Sequence, residues 1–178
     1  MSTKKLTLAA LFIALGIALP FVTGQIPQIG SMLLPMHIPV LLSGFVLGGP
    51  LGFLVGLITP LLRSALFTMP PMIPVALAMA PELGVYGLVS GLVYRRFPAN
   101  EKGSLLRILT ALIAAMIAGR VVWGLAMWLL LRSSGGVFSM QAFLAGAFVN
   151  AVPGIVVQLV LIPILVGALH RAGFIDKE

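Results

Sequence analysis

The sequence predicts an all-α integral membrane protein with six transmembrane helices and both termini on the cytoplasmic side. Three observations lead there. Of the 178 residues, 60% are hydrophobic and 8% charged, against roughly 25% charged in an ordinary soluble domain. The apolar residues gather in six segments bounded by Gly, Pro and charged residues. The basic residues outside those segments fall almost entirely on one side of the membrane. No linker or charge run divides the chain, so residues 1–178 are read as one unit.

The first segment runs from Lys5 to Val22. It has a signal-peptide-like start in "MSTKKLTLAALFIALGIALPFV", but Gly16-Ile17-Ala18 is a poor cleavage site and more apolar spans follow, which favours an uncleaved first helix. The second and third, Pro35 to Gly48 and Leu51 to Phe67, are short. The "GGP" of Gly48 to Pro50 makes a tight turn between them, because Pro ends a helix and Gly tolerates the bend. The fourth runs from Ile73 to Tyr94, the fifth from Leu105 to Leu131 and the sixth from Ala142 to His170. About 20 apolar residues cross the hydrocarbon, fewer where a hairpin completes the crossing.

Direction follows from the connections. "TGQIPQIGSMLL", "TMPPM" and "RSSGGVFSMQ" together carry a single basic residue, Arg132, whereas Lys4, Lys5, Arg95, Arg96, Lys102, Arg107, Arg171 and Lys177 lie on the other side. The positive-inside rule makes that second side cytoplasmic. It also accounts for the net charge of +7 without nucleic acid, which would need the basic residues gathered on one solvated patch.

Small residues mark helix contacts. Gly44, Gly48, Gly52 and Gly56 recur every fourth position, as do Gly87 and Gly91, and such spacing lets backbones approach closely. Ala10 and Ala14 form a similar pair on the first helix, continued by Ala18. Facing outward they would suit a partner helix; facing inward they would be ordinary packing.

Three charges fall inside the apolar segments: Arg63, Glu82 and Arg120. A charged side chain at mid-bilayer costs about 2.5 to 3.5 kcal/mol on insertion scales, so one that persists faces the interior, pairs, or meets a ligand. At 1.5 Å rise per residue the three lie roughly 6, 14 and 17 Å below the outer helix ends, with Asn150 at roughly 12 Å. Tyr86 is four residues after Glu82, and Trp123 and Met127 share the face of Arg120. His37, near the outer mouth of the second helix, is a further candidate. These residues are expected to line one cavity in the outer half. Glu82 and one arginine alternatively form an ion pair that only fixes helix register. Even then two guanidiniums oppose one carboxylate, and the excess cation favours a carboxylate or phosphate ligand, which Arg receives bidentately. "TMPPMIP", with three prolines in seven residues, is either a lid over that cavity or a stiff connector.

Catalysis is unsupported. There is no Walker lysine motif, no His-Glu-x-x-His helix and no Gly-x-Ser-x-Gly elbow. The absence of Cys excludes disulfides, a thiolate nucleophile and Cys-based metal sites. "GSMLLPMH" and "RSALF" contain serines, but an intramembrane serine protease needs a base within reach, and His37 and His170 lie near opposite membrane faces. No cofactor or metal is expected.

The run "GSMLLPMHIPVLLSGFVLGGPLGFLVGLITPLLRSALFTMPPMIPVALAMAPELGVYGLVSGLVYR", residues 30 to 95, closely resembles the substrate-binding S components of energy-coupling factor (ECF) vitamin transporters. "TKKLTLAALFIALGIAL" and "VNAVPGIVVQLVLIPILVGALHR" resemble that family's first and sixth helices. The resemblance implies a six-helix subunit of a bacterial or archaeal plasma membrane that captures a vitamin from outside. It further implies partnership with a transmembrane coupling subunit and two cytoplasmic ATP-binding subunits, toppling of the S component to deliver cargo, and ATP hydrolysis by the partners. The family's first helix meets the coupling subunit through Ala-x-x-x-Ala, which Ala10 and Ala14 match. Its loops between helices one and two, three and four, and five and six gate the binding site.

Within the family the sequence resembles the subgroup containing pantothenate, cobalamin and folate transporters. Pantothenate is small and carries a carboxylate that Arg63 or Arg120 would clamp, which places it first. Two tryptophans and two tyrosines are few for stacking a large flat ring such as folate. Two other readings stay open: a stand-alone secondary transporter or channel with Glu82 as a proton or cation site, and a structural membrane subunit whose charges only pair helices. No internal repeat supports the first of these.

Overall fold

The computed structural model describes residues 2–22, 26–97, 104–133, 135 and 139–175. Among these there is no strand. Helix α1 spans Thr3–Val22, α2 Pro27–Leu33, α3 His37–Leu47 and α4 Gly49–Phe67; a π turn at Met72–Ala76 leads into α5, Leu77–Arg96. Helix α6 spans Ser104–Ser133, the short α7 Met140–Leu144, a second π turn Ala145–Val149, and α8 Val152–Arg171.

Five of these stretches are long and apolar enough to cross a bilayer: α1, α4, the π turn with α5, α6 and α8. The second expected span is instead the 11-residue α3, about 16 Å long and half the thickness of the hydrocarbon. Nearly all of it is buried, from His37 and Pro39 through Leu47. It is therefore a core helix surrounded by others. The connection "TGQIPQIGSMLL" also differs from a plain loop: Pro27, favoured at a helix start, opens α2, and the segment ends at Leu34 with φ 51° and ψ 48°. The sixth expected span is broken as well. Its first third is α7 and the π turn, and the continuous helix begins only at Val152, just before Pro153. Lys102 and Lys177, two of the basic residues counted for orientation, lie outside the described residues.

The outward faces are apolar in the pattern lipid requires. Leu54, Ile58 and Leu62 on α4, and Ile113, Ile117 and Val121 on α6, are exposed at four-residue spacing. Ala10, Ala14 and Ala18 are likewise exposed along α1, so this stripe faces away from the bundle.

The centre is held by backbone contact between α3, α4 and α5. A Cβ on Gly52 would stand 2.6 Å from the carbonyl oxygen of Gly87, and one on Gly87 would collide with that of Gly52. Gly44 faces Ser90 and Gly87, and Gly91 faces Gly49 and Gly44. Any side chain at these positions would force the helices apart. Between α3 and α4 the chain reverses at Gly48, whose φ of 90° is a conformation that residues with a Cβ rarely adopt. Around this seam pack Val40, Leu41, Phe45, Leu83, Leu112 and Ala115, all nearly inaccessible.

Gly87→Val is expected to destabilise the purified chain by about 2 kcal/mol or more, read as a lower thermal unfolding temperature, because the clash is with backbone. Gly167→Ala, where a Cβ meets nothing within 4 Å among the described residues, should change stability by less than about 1 kcal/mol. Equal shifts for the two would contradict the close-packed seam.

Candidate functional site

A cavity of about 520 Å³ lies at the end of the bundle where α4 runs into the "TMPPM" connection. Its walls come from separate elements: Pro20 of α1, Gln28 and Gly30 of α2, His37 of α3, Arg63 of α4, Glu82 of α5, and Arg120 and Trp123 of α6. Five sequence-predicted residues, His37, Arg63, Glu82, Arg120 and Trp123, are thus brought to one recess. Met69, Pro70 and Pro71 also line it, so the proline-rich connection forms part of the wall.

Two predicted residues are placed differently. Tyr86 is 1% exposed and does not line the cavity; its ring meets His37 edge-on at 5.2 Å between centroids and packs under Gly119 of α6. It supports His37 from behind. Asn150 sits exposed in the turn before α8, outside the cavity lining, because the chain there is a π turn rather than the continuous helix assumed in estimating its depth.

The charges divide unequally. Glu82 Oε1 lies 3.0 Å from Arg120 Nη1 and 3.6 Å from His37 Nε2. Glu82, Arg120 and His37 are all almost fully buried. The contacts are electrostatic rather than aligned hydrogen bonds, since Glu82 Oε1, both His37 nitrogens, and Nε and Nη2 of Arg120 lack hydrogen-bond partners among the described residues. Leaving such buried polar groups unsatisfied costs about 1 to 3 kcal/mol each.

Arg63 takes no part in this cluster. Its Nη1 donates to the Ile17 carbonyl of α1, and its guanidinium stands 5.0 Å from the ring centroid of Phe21 and 5.8 Å from that of Phe67. Those rings themselves meet edge-on at 5.0 Å. Cation–π contacts of this kind stabilise the cation by about 0.5 to 2 kcal/mol without neutralising it. Among the described residues no carboxylate comes within salt-bridge distance of Arg63. The Glu82–Arg120 pair therefore leaves one guanidinium of excess charge on the cavity wall.

The rest of the lining is mainly apolar, with Leu34, Met36, Val75 and Met79 beside the prolines. Met79 had a signal in the sequence, lying three residues before Glu82 on the same helical face. Gly146 had none: it reaches the cavity because the second π turn folds over Trp123, whose ring stacks on Phe143 at 6.4 Å. A recess of this size, apolar with a few convergent polar groups, suits a small organic molecule.

The family comparison agrees with this geometry. Residues 4–166 match the model of the ECF transporter substrate-specific component family. The chain is an ECF transporter S component. A search of the curated proteins and one of the solved structures gave no match. As a member of that family the S component is a substrate-binding transport subunit, not an enzyme, and works in the membrane with a substrate and an ECF module.

Replacing one member of the buried pair should cost more than replacing both. Glu82→Leu leaves Arg120 buried without its counter-ion and is expected to destabilise by about 3 to 5 kcal/mol, whereas Glu82→Leu with Arg120→Met should recover most of that loss. Thermal unfolding of wild type, both single variants and the double variant in one detergent gives the coupling. Simple additivity would show that the two groups do not depend on each other.

Proposed function

We propose that this S component captures a small organic anion from the external side, with pantothenate as its first candidate substrate. The observation that carries the reading is Arg63, a buried guanidinium on the cavity wall with no carboxylate within salt-bridge distance among the described residues. In a water-poor site an unneutralised cation is costly, and an anionic guest offsets that cost while gaining a charge-assisted hydrogen bond. The apolar lining favours a guest with a hydrocarbon body. His37, Glu82 and Arg120 then offer hydrogen-bonding groups to hydroxyl or amide functions away from its carboxylate. Trp123 is the only large aromatic ring among the lining residues described, which gives little stacking surface to a flat ring such as folate.

In this reading the basic residues Lys4, Lys5, Arg95, Arg96, Arg107 and Arg171 face the cytoplasm and the cavity faces out. The exposed Ala10, Ala14 and Ala18 of α1 meet the transmembrane coupling subunit, and two cytoplasmic ATP-binding subunits supply the energy. A proton or cation site at Glu82 is disfavoured, because Arg120 already stands 3.0 Å from its carboxylate.

Arg63→Gln is expected to weaken pantothenate binding by about tenfold to a hundredfold, the range for a hydrogen bond to a charged group. Panthenol, which replaces the carboxylate by an alcohol, should bind wild type more weakly by a similar factor and lose that difference in the variant. Equilibrium binding of both compounds to the purified chain, without ATP, measures this. Wild-type affinity in both Arg63→Gln and Arg120→Gln would overturn the anion role.

A further inference from the structure

Gln158 lies mid-helix in α8, in an otherwise apolar stretch from Val152 to Leu169. It is fully buried, yet it does not line the cavity. Its Nε2 donates to the carbonyl of Leu34 over a long 3.4 Å, while its Oε1 has no hydrogen-bond partner among the described residues. A half-satisfied amide in a membrane helix is a poor way to fill space; an apolar side chain of similar shape would avoid the unmet acceptor. Its use must then lie in the bond it makes.

That bond ends on a sensitive corner. Leu34 holds φ 51° and ψ 48°, the left-handed region rarely occupied by residues with a Cβ. Its carbonyl also accepts from the His37 amide at 3.0 Å, and its own amide donates to Gly30 at 3.0 Å. The corner therefore joins the end of α2 to the first residue of α3, and Leu34, Pro35, Met36 and His37 all line the cavity. One turn before Gln158 on the same face, Gly154 lets α8 press against this segment. A Cβ there would lie 2.6 Å from the Met32 carbonyl oxygen and 2.8 Å from that of Leu33.

We propose that Gly154 and Gln158 form a seat on α8 that fixes the α2–α3 corner and thereby positions His37 beside Glu82. Both are positioning residues: they hold the wall that meets the guest and touch no guest themselves. The inference rests on the reading of the cavity as the substrate site, but the seat has a signature independent of any substrate. The His37 amide is bonded to the carbonyl that Gln158 holds, so its hydrogen exchange reports on the corner directly.

The test is hydrogen–deuterium exchange of the full chain in lipid nanodiscs, comparing wild type, Gln158→Met, Gly154→Ala and the same-helix control Gly167→Ala. In the first two variants, exchange in peptides covering residues 34–40 should accelerate about tenfold or more, with residues 82–94 of α5 unchanged. Radiolabelled pantothenate should dissociate several-fold faster from both. Unchanged protection at residues 34–40, or equal acceleration in every helix, overturns the seat. Should wild type not bind pantothenate, that substrate assignment falls while the exchange result still decides the seat; should one variant not accumulate, the other carries the measurement.

Discussion

The structure turns on the cost of holding charge away from water. Arg63, Glu82 and Arg120 lie in the apolar part of the bundle, and one carboxylate can offset only one of the two guanidiniums. Arg120 takes the Glu82 carboxylate at 3.0 Å, which leaves Arg63 to be stabilised by softer means: the Ile17 carbonyl and the faces of Phe21 and Phe67. These contacts hold the guanidinium in place without cancelling its charge. In the proposed reading, an apolar recess with such a fixed cation on its wall favours an anionic guest before shape is considered.

Fixing those groups requires a rigid frame, and glycine supplies it. Helices α3, α4 and α5 touch through backbone at Gly44, Gly52, Gly87 and Gly91, so Glu82 and Arg63 are carried on helices with little freedom to slide. Dispersion and close packing, rather than water exclusion, drive helix association in lipid. The short α3 is enclosed by this frame, which lets it deliver His37 from its first turn to the Glu82 carboxylate. Arg63 adds a second tie, from α4 to α1, the helix whose alanine stripe faces outward.

Much of this was legible from sequence because the bilayer penalises exceptions. Arg63, Glu82 and Arg120 stood out as charges in apolar segments, and the Gly-x-x-x-Gly spacings announced the α3–α5 seam. What the sequence did not reveal were the irregular elements. A buried helix of 11 residues has the same hydropathy as a membrane span, since both are apolar all round, and only its neighbours distinguish them. The π turn before Asn150 shifted that residue out of the cavity, because a depth counted at 1.5 Å per residue assumes unbroken helix. Gln158 carried a faint signal, a polar residue in an apolar helix, but its partner is 124 residues away and nothing local points to it.

The central proposal is that the Arg63 guanidinium on the cavity wall selects an anionic guest. Native mass spectrometry of the chain released gently from membranes addresses it most directly, by identifying the small molecule that stays bound through purification. The expected result is a single retained compound bearing a carboxylate or phosphate. Retention of an uncharged or cationic compound would contradict it.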